Sequence, residues 1–413
     1  MMWSRFVASL LLSVIFTGLV RAQTGSEPPV ANIGLEKIGP ELDLEKLLAA
    51  RLSEEELRQG WIRLFDGQTL TGWTKTDGAN WAVKDNSIVA TEGTNSLLCT
   101  SVPFSDYEVS LEFRAEEKTN SGLFLRTPLV PTDPAQDCFE LNIAPNDNPF
   151  PTGSLVFRQK RNESIADPAP NEWHKLKALV RGAQVITWLD GVQTCEYQDT
   201  TNLRSGWIGL QFREGKIEFR EIKIRPLTDE VLAGKMGSFK PAVNVSVDYD
   251  PAGTLTISGG RGYVESAFEF GDGVVQFSAE TLAENVNSGV FFRCIPGEDM
   301  NGYECQLHHG YSESRFKSVD SGTGAIFRRQ AARAVLSDEG QVAHVVIVAS
   351  GARISTWVQG VQVVEFVDTR KSDLNPRRGL RLEPGTLMLQ GHDPNCKVRF
   401  HSIRVQSFPG SKE

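Results

Sequence analysis

A carboxylate, an imidazole, amides and a guanidinium recur at strand spacing in this chain, and together they could bind an oxygen-rich ligand and move one of its protons. The run Asn120-Ser121-Gly122-Leu123-Phe124-Leu125-Arg126 returns as Asn287-Ser288-Gly289-Val290-Phe291-Phe292-Arg293. Each run is short, apolar and aromatic, which predicts a strand. Side chains alternate across a strand, so Asn120, Gly122, Phe124 and Arg126 are expected on one face and Ser121, Leu123 and Leu125 on the other. One face reads as core. The other carries an amide, a bare glycine that lets a ligand approach the backbone, and a guanidinium. By the same alternation Glu304 and Gln306 share a face, which His308 continues. Gln390 and His392 share another, and Asn287 and Arg293 a third. The plainer reading of each set is a solvated ion pair on a sheet edge. The recurrence favours a site.

The elements that would position these residues are short β-type runs separated by turn residues. Tyr107–Arg114, Phe139–Ile143, His174–Val180, Gln184–Leu189 and Ile217–Arg225 are examples. Many strands with few helical stretches predict an all-β fold of the sandwich or jelly-roll type. The pattern then repeats. Phe139-Glu140-Leu141-Asn142 returns as Tyr303-Glu304-Cys305-Gln306, and Thr152-Gly153 as Thr323-Gly324. An offset of roughly 164–181 residues indicates a duplicated domain rather than a solenoid repeat. We therefore read residues 60–227 and 240–407 as two tandem antiparallel β-sandwiches joined by a linker at 228–239. Leucines 42, 44, 47, 48, 52 and 57, with a helix start at Ser53-Glu54-Glu55-Glu56, predict one or two short helices before the first sandwich.

Composition bounds the function. The chain has 413 residues, with 40% hydrophobic and 23% charged, which is ordinary for globular domains. Arg5 followed by the apolar stretch Phe6–Val20 and small residues near position 22 reads as a signal peptide over 1–22, followed by a leader over 23–59 that is flexible over 23–40 and carries the short helices after that. Export to the periplasm or outside is the expectation. A stretch of about 15 apolar residues is short for a membrane span, and no later stretch is long enough. The formal charge of −9 becomes −11 without Arg5 and Arg21, a poor match for nucleic acid.

The order Leu64-Phe65-Asp66-Gly67, Leu70-x-Gly72-Trp73, Asn-Ser-Gly-x-Phe-x-Arg, Tyr/Phe-Glu, Thr-Gly, Trp-x-x-Gly-Val and Phe-Arg-x-Ile resembles the 3-keto-disaccharide hydrolase family, strongly over 60–227 and more weakly over 240–407. The resemblance implies a concanavalin-like fold with one ligand-bearing sheet, and carbohydrate as the partner. A ketone at C3 of a sugar acidifies the C2 proton. A base removes it, the C1 oxygen leaves by β-elimination, and water adds back. Such a site needs a base, a cation or amide on the enolate oxygen, and an acid at the leaving group. A redox cofactor is not needed at this step. Glu304 or His392 is the candidate base, and Arg293 or Asn287 the candidate oxyanion partner. Gln306, His308 and Gln390 would bind substrate. Glu304, His308 and His392 match no recognised metal-ligand spacing.

The first copy offers Asn120, Arg126, Glu140, Asn142 and Gln211 as binding residues. It carries Gln211-Phe212-Arg213 where the second carries Gln390-Gly391-His392, so it lacks the imidazole. One catalytic copy, a shared site and a non-catalytic, lectin-like pair all remain open. The second copy lacks the opening Leu-Phe-Asp-Gly motif, which points to a trimmed sandwich. None of the six cysteines forms a CxxC pair. A hairpin between the strands of Arg293 and Glu304 would send Cys294 and Cys305 to a common face, so a Cys294–Cys305 disulfide is expected.

Overall fold

Alternation of apolar and charged residues decides the sheets. In Tyr107–Ala115, Val109, Leu111 and Phe113 are buried in the first core, while Glu108 and Glu112 pair with Arg225 and Arg220 on the adjacent strand. In the computed structural model, which describes residues 42–410 except 77, 233–237 and 252, this pattern builds two sandwiches. The proposed signal peptide, most of the leader and the middle of the linker lie outside the described residues.

The first sandwich pairs an eight-stranded sheet with a five-stranded one. The larger runs Val192–Gln198, Gln184–Leu189, His174–Arg181, Tyr107–Ala115, Ile217–Pro226, Ser87–Ala90, Ala82–Lys84, with Ile62–Arg63 also on Ile217–Pro226. The smaller runs Trp73–Lys75, Ser96–Thr100, Trp207–Glu214, Asn120–Thr127, Phe139–Ile143. The second sandwich repeats the plan with eight strands and four. Its smaller sheet runs Gly262–Phe270, Gly385–Gly391, Ser288–Cys294, Tyr303–Leu307. Where Trp73–Lys75 borders the first copy's smaller sheet, single antiparallel bridges from Phe239 to Ser266 and from Val243 to Tyr263 border the second, so the expected trimming is confined to the length of that edge strand. The pairings between these strands are antiparallel, as all-β sandwiches of this kind require. Among the described residues no helix is long and apolar enough to cross a membrane.

The opening motif has a second use. Asp66 caps its own turn by accepting from the backbone N–H of Gln68 and Thr69, and its other oxygen meets Arg333 Nη1 of the second copy at 2.8 Å. Trp357, buried on the outer face of the second copy's large sheet, donates from Nε1 to the Arg63 carbonyl at 2.9 Å. The apolar run Val342–Ser350 is buried on both faces because Val346 and Val348 point into the first copy's core cluster. The helices Leu44–Ala49 and Glu54–Gln59 form as the sequence predicts. The second starts with a Ser53/Glu56 capping box and ends on left-handed Gly60. Leu47 of the first helix is buried in the second copy's core.

Two expectations fail here. Arg126 and Arg293 do not share a face with Gly122 and Gly289. Each sits in a left-handed bulge with φ 49, which turns the guanidinium into the end of the sandwich. The six cysteines are free and buried, so there is no Cys294–Cys305 disulfide. The bulge at Arg293 puts Cys294 with Phe291, Met300 and Met388 on the outer side of the sheet. Cys305 lies in the core with Val290.

Candidate active site

On each smaller sheet the face turned away from the core carries the same arrangement. In the second copy Gly289 lies opposite Gln306, and Phe291 lies opposite Glu304. On the other flank Leu389 pairs with Val290, so Gln390 falls beside Gly289. A bare glycine is thus framed by two amides, with a carboxylate leaning over it. A Cβ on Gly289 would come within 3.2 Å of Glu304 Oε1. In the first copy Gly122 lies opposite both Gln211 and Asn142, and Phe124 opposite Glu140. A Cβ on Gly122 would come within 3.3 Å of Glu140 Oε1.

The carboxylates are the electrostatic centres. Glu304 is 7% exposed, and burial pushes its carboxyl up to about 7 against the pull of Arg377 and Arg328, with Asp320 adding to the rise. Glu140 is 8% exposed, and burial likewise pushes it up to about 7. There Arg213 opposes the rise, as does a hydrogen bond from Gln211. A carboxyl poised near neutrality can take and return a proton at physiological pH. Each carboxylate feels charges from its own copy, which favours two separate sites over a shared one.

The amides have spare capacity. Gln211 Oε1, Gln306 Oε1 and Gln390 Oε1 are buried without a hydrogen-bond partner, as is Trp207 Nε1 in the first copy. Buried polar atoms without partners are rare and mark places where a ligand or water completes the network. Gln306 Nε2 donates to Asn287 Oδ1 at 3.4 Å, and Asn287 Nδ2 donates to Asp320 Oδ2 at 3.0 Å. His308 is buried; its Nδ1 accepts from the Gly310 N–H at 3.0 Å, which leaves the ring proton on Nε2, 3.9 Å from Asp320 Oδ2. Gln306, Asn287, Asp320 and His308 therefore form one connected polar strip, and Glu304 stands beside it on the same strand face as Gln306. In the first copy Asn142 is committed to the Phe150 carbonyl, and half-buried Asn120 starts the strand opposite Glu214.

The remaining candidates fall elsewhere. Arg293, 0% exposed, donates to the carbonyls of Gly271, Gly351 and Arg381 and to Asp272. Arg126, 1% exposed, makes the same set with Ser105, Gly182, Leu203 and Asp106. Every donor edge faces the protein, so both arginines are structural staples and neither can meet an enolate. His392 lies one residue past the end of Gly385–Gly391, half-exposed, with Nδ1 on Asp393 at 3.1 Å. It stands at the rim rather than against Glu304.

Sequence reasoning missed the cation that does face the carboxylate. Arg377 Nη2 is 3.7 Å from Glu304 Oε2, and its guanidinium lies 5.4 Å from the Phe291 ring. Arg328 and Arg377 line a notch of about 50 Å³ beside Glu304. Both come from loops with no periodic pattern. The signal that could have found Arg328 is its place just after the repeated Thr-Gly turn. Among the described residues no cluster of three or more His, Cys, Asp or Glu is placed to hold a metal.

Comparison with known proteins agrees with the duplication. The model of the 3-keto-alpha-glucoside-1,2-lyase-like domain matches residues 60–225 and again 238–406. The 3-keto-disaccharide hydrolase of Bacteroides thetaiotaomicron is 23% identical over 247 residues, covering 44% of this chain and 85% of that protein. A candidate glycosyl hydrolase of Parabacteroides distasonis is similar at 21% identity and a TM-score of 0.39, over 43% of this chain and 99% of its own. The carbohydrate-binding module CBM66 of Bacillus subtilis matches at 18% identity and a TM-score of 0.30, over 37% of this chain and 95% of its own. The two family matches span most of the sequence, and the chain belongs to the 3-keto-alpha-glucoside-1,2-lyase-like family, in two tandem copies.

Proposed function

We propose that this protein cleaves 3-keto-glycosides, including 3-keto-disaccharides, by elimination and rehydration, with Glu304 as the base. The observation that carries the reading is Glu304 itself: a buried carboxyl raised to about 7, set over a glycine and between amides with unpartnered oxygens. The family and the Bacteroides relative point to the same substrate class.

The steps balance without a redox partner. Glu304 takes the proton from C2, and the C–H electron pair becomes the enolate of the C3 ketone. Arg377, 3.7 Å from Glu304, stabilises the negative oxygen. The enolate collapses, a C1=C2 double bond forms, and the C1–O bond breaks. The departing oxygen takes the proton that Glu304 has gained, which restores the carboxylate, and His308 Nε2–H, held towards Asp320, donates a hydrogen bond on the same face. Water then adds across C1=C2, its proton going to C2 and its hydroxyl to C1, to give the free 3-keto sugar. Asn287, Gln306 and Gln390 hold the sugar hydroxyls. His392 at the rim would contact the leaving group rather than C2, and it replaces no step assigned to Glu304.

A lectin-like binding role is the second reading, favoured in the first copy by the loss of the histidine and by the commitment of Asn142 to a backbone carbonyl. The apolar stretch near the start of the chain supports export, so that the carbohydrate would be met outside the cytoplasm. The test is turnover of a 3-keto-disaccharide beside its unoxidised parent. The parent has no acidified C2 proton and stays intact on this mechanism. Export is tested by the mature N-terminus of the protein recovered from the native host.

A further inference from the structure

The two copies differ at one strained position beside the carboxylate. After the Thr-Gly turn, Leu155-Val156-Phe157-Arg158 and Ile326-Phe327-Arg328-Arg329 fold as the same tight turn. Val156 N donates to the Glu140 carbonyl at 3.0 Å, and Phe327 N donates to the Glu304 carbonyl at 2.9 Å. Arg158 N donates back to Leu155, and Arg329 N to Ile326. The third residue of each turn is left-handed, with φ 58 at Phe157 and φ 59 at Arg328. That conformation is unfavourable for a bulky side chain and concentrates at functional sites. It projects the side chain out of the turn next to the glutamate strand. In the second copy the side chain is a guanidinium that acts on Glu304. In the first it is a phenyl ring, 65% exposed, packed edge-on against Phe150 at 5.8 Å. The Phe150 carbonyl is in turn bonded by Asn142 of the same face. Nearby on that face, the buried Trp207 Nε1 has no partner.

We propose that this left-handed position selects the group attached to C1 of the sugar, so that the first copy binds glycosides with an aromatic aglycone on Phe157 and Phe150, while Arg328 directs the second copy to oxygen-rich, sugar aglycones. An exposed ring held in a strained backbone adds apolar area where an aryl ring can stack. A guanidinium offers donors to hydroxyls and disfavours an apolar ring. The inference rests on the proposed keto-sugar reading for its sugar, but not for the aromatic contact.

The test uses the full chain and ligands that lack the ketone and therefore stay intact. Equilibrium binding of 4-nitrophenyl glucoside, methyl glucoside and a glucose disaccharide is measured on wild type, Phe157→Ala and Arg328→Ala. Phe157→Ala is expected to weaken the aryl glucoside about threefold to tenfold and leave methyl glucoside unchanged. Arg328→Ala is expected to weaken the disaccharide and leave the aryl glucoside unchanged. Equal affinity for aryl and methyl glucosides, no binding of either, or no effect of Phe157→Ala overturns the proposal. Release of 4-nitrophenol from the unoxidised glucoside would instead overturn the keto-sugar mechanism. The aromatic preference would then be read from the KM of Phe157→Ala against wild type.

Discussion

Glu304 occupies the space that a side chain at Gly289 would fill, its Oε1 3.2 Å from where a Cβ would stand, and Gly122 keeps the same space for Glu140 at 3.3 Å. Conventional backbone geometry at both glycines means the requirement is for room rather than for a special φ. Gly289→Ala should push the carboxylate off its position and lower kcat on a 3-keto-disaccharide by up to about 100-fold, as an ångström of misplacement does. The melting temperature should fall little. Unchanged turnover in a folded Gly289→Ala protein would show that the carboxylate's position is not used.

The raised carboxyls set a pH dependence. Below about 7 Glu304 holds its proton and cannot accept another, so kcat/KM should rise with pH through that range. The stability sign runs the other way. A carboxyl whose folded value lies above its unfolded one favours the folded state in acid. Its contribution is complete below about 4.5 and is lost as pH rises through about 7. Glu304→Gln, neutral at every pH, should therefore melt higher than wild type at pH 8, with the difference shrinking towards pH 5. A difference that grows in acid would contradict the assigned shift.

The arginine staples predict loss of fold rather than loss of chemistry. Arg293→Ala strands Asp272 and the carbonyls of Gly271, Gly351 and Arg381. Removing one side of a buried ion pair typically costs about 3–5 kcal/mol, and Arg126→Ala should behave alike through Asp106. Urea unfolding checks this. A stable Arg293→Ala protein with kcat reduced at unchanged stability would return the arginine to the active site.

The cysteines predict a thiol count. Native protein should react slowly with a thiol reagent, and denatured protein should titrate six thiols, because all six are buried and unpaired. Dithiothreitol should leave the melting temperature unchanged. A count of four in denaturant would restore a disulfide.

Much of the fold was legible because strand alternation and the duplicated motifs are local patterns. Asn-Ser-Gly-x-Phe fixed two strands, and Ser53 with Glu56 fixed a helix start. Glu304 and Gln306 were legible for the same reason, since alternation puts them on one face, whereas Gln390 joins them through the pairing of its strand with Ser288–Cys294, which alternation does not give. Alternation failed at Arg126 and Arg293, where a left-handed bulge flips the side chain and carries Cys294 with it; nothing in a one-dimensional pattern marks such a bulge in a non-glycine residue. Arg377, Arg328 and Asp320 reach Glu304 from irregular loops, whose paths depend on tertiary packing. Asp66 caps its own turn, a local role, but its pairing with Arg333 spans the two copies and has no local signature.

The central claim is that Glu304 takes the C2 proton of a 3-keto sugar. Its most direct measurement is exchange of that proton for deuterium in D2O, together with cleavage, on a 3-keto-disaccharide with wild type and Glu304→Gln. The account predicts rapid exchange and cleavage by wild type, both lowered about 100-fold or more in Glu304→Gln, with binding retained and the unoxidised disaccharide left whole by both proteins. Cleavage by Glu304→Gln at the wild-type rate, or cleavage of the unoxidised disaccharide as fast as of its 3-keto form, would contradict it.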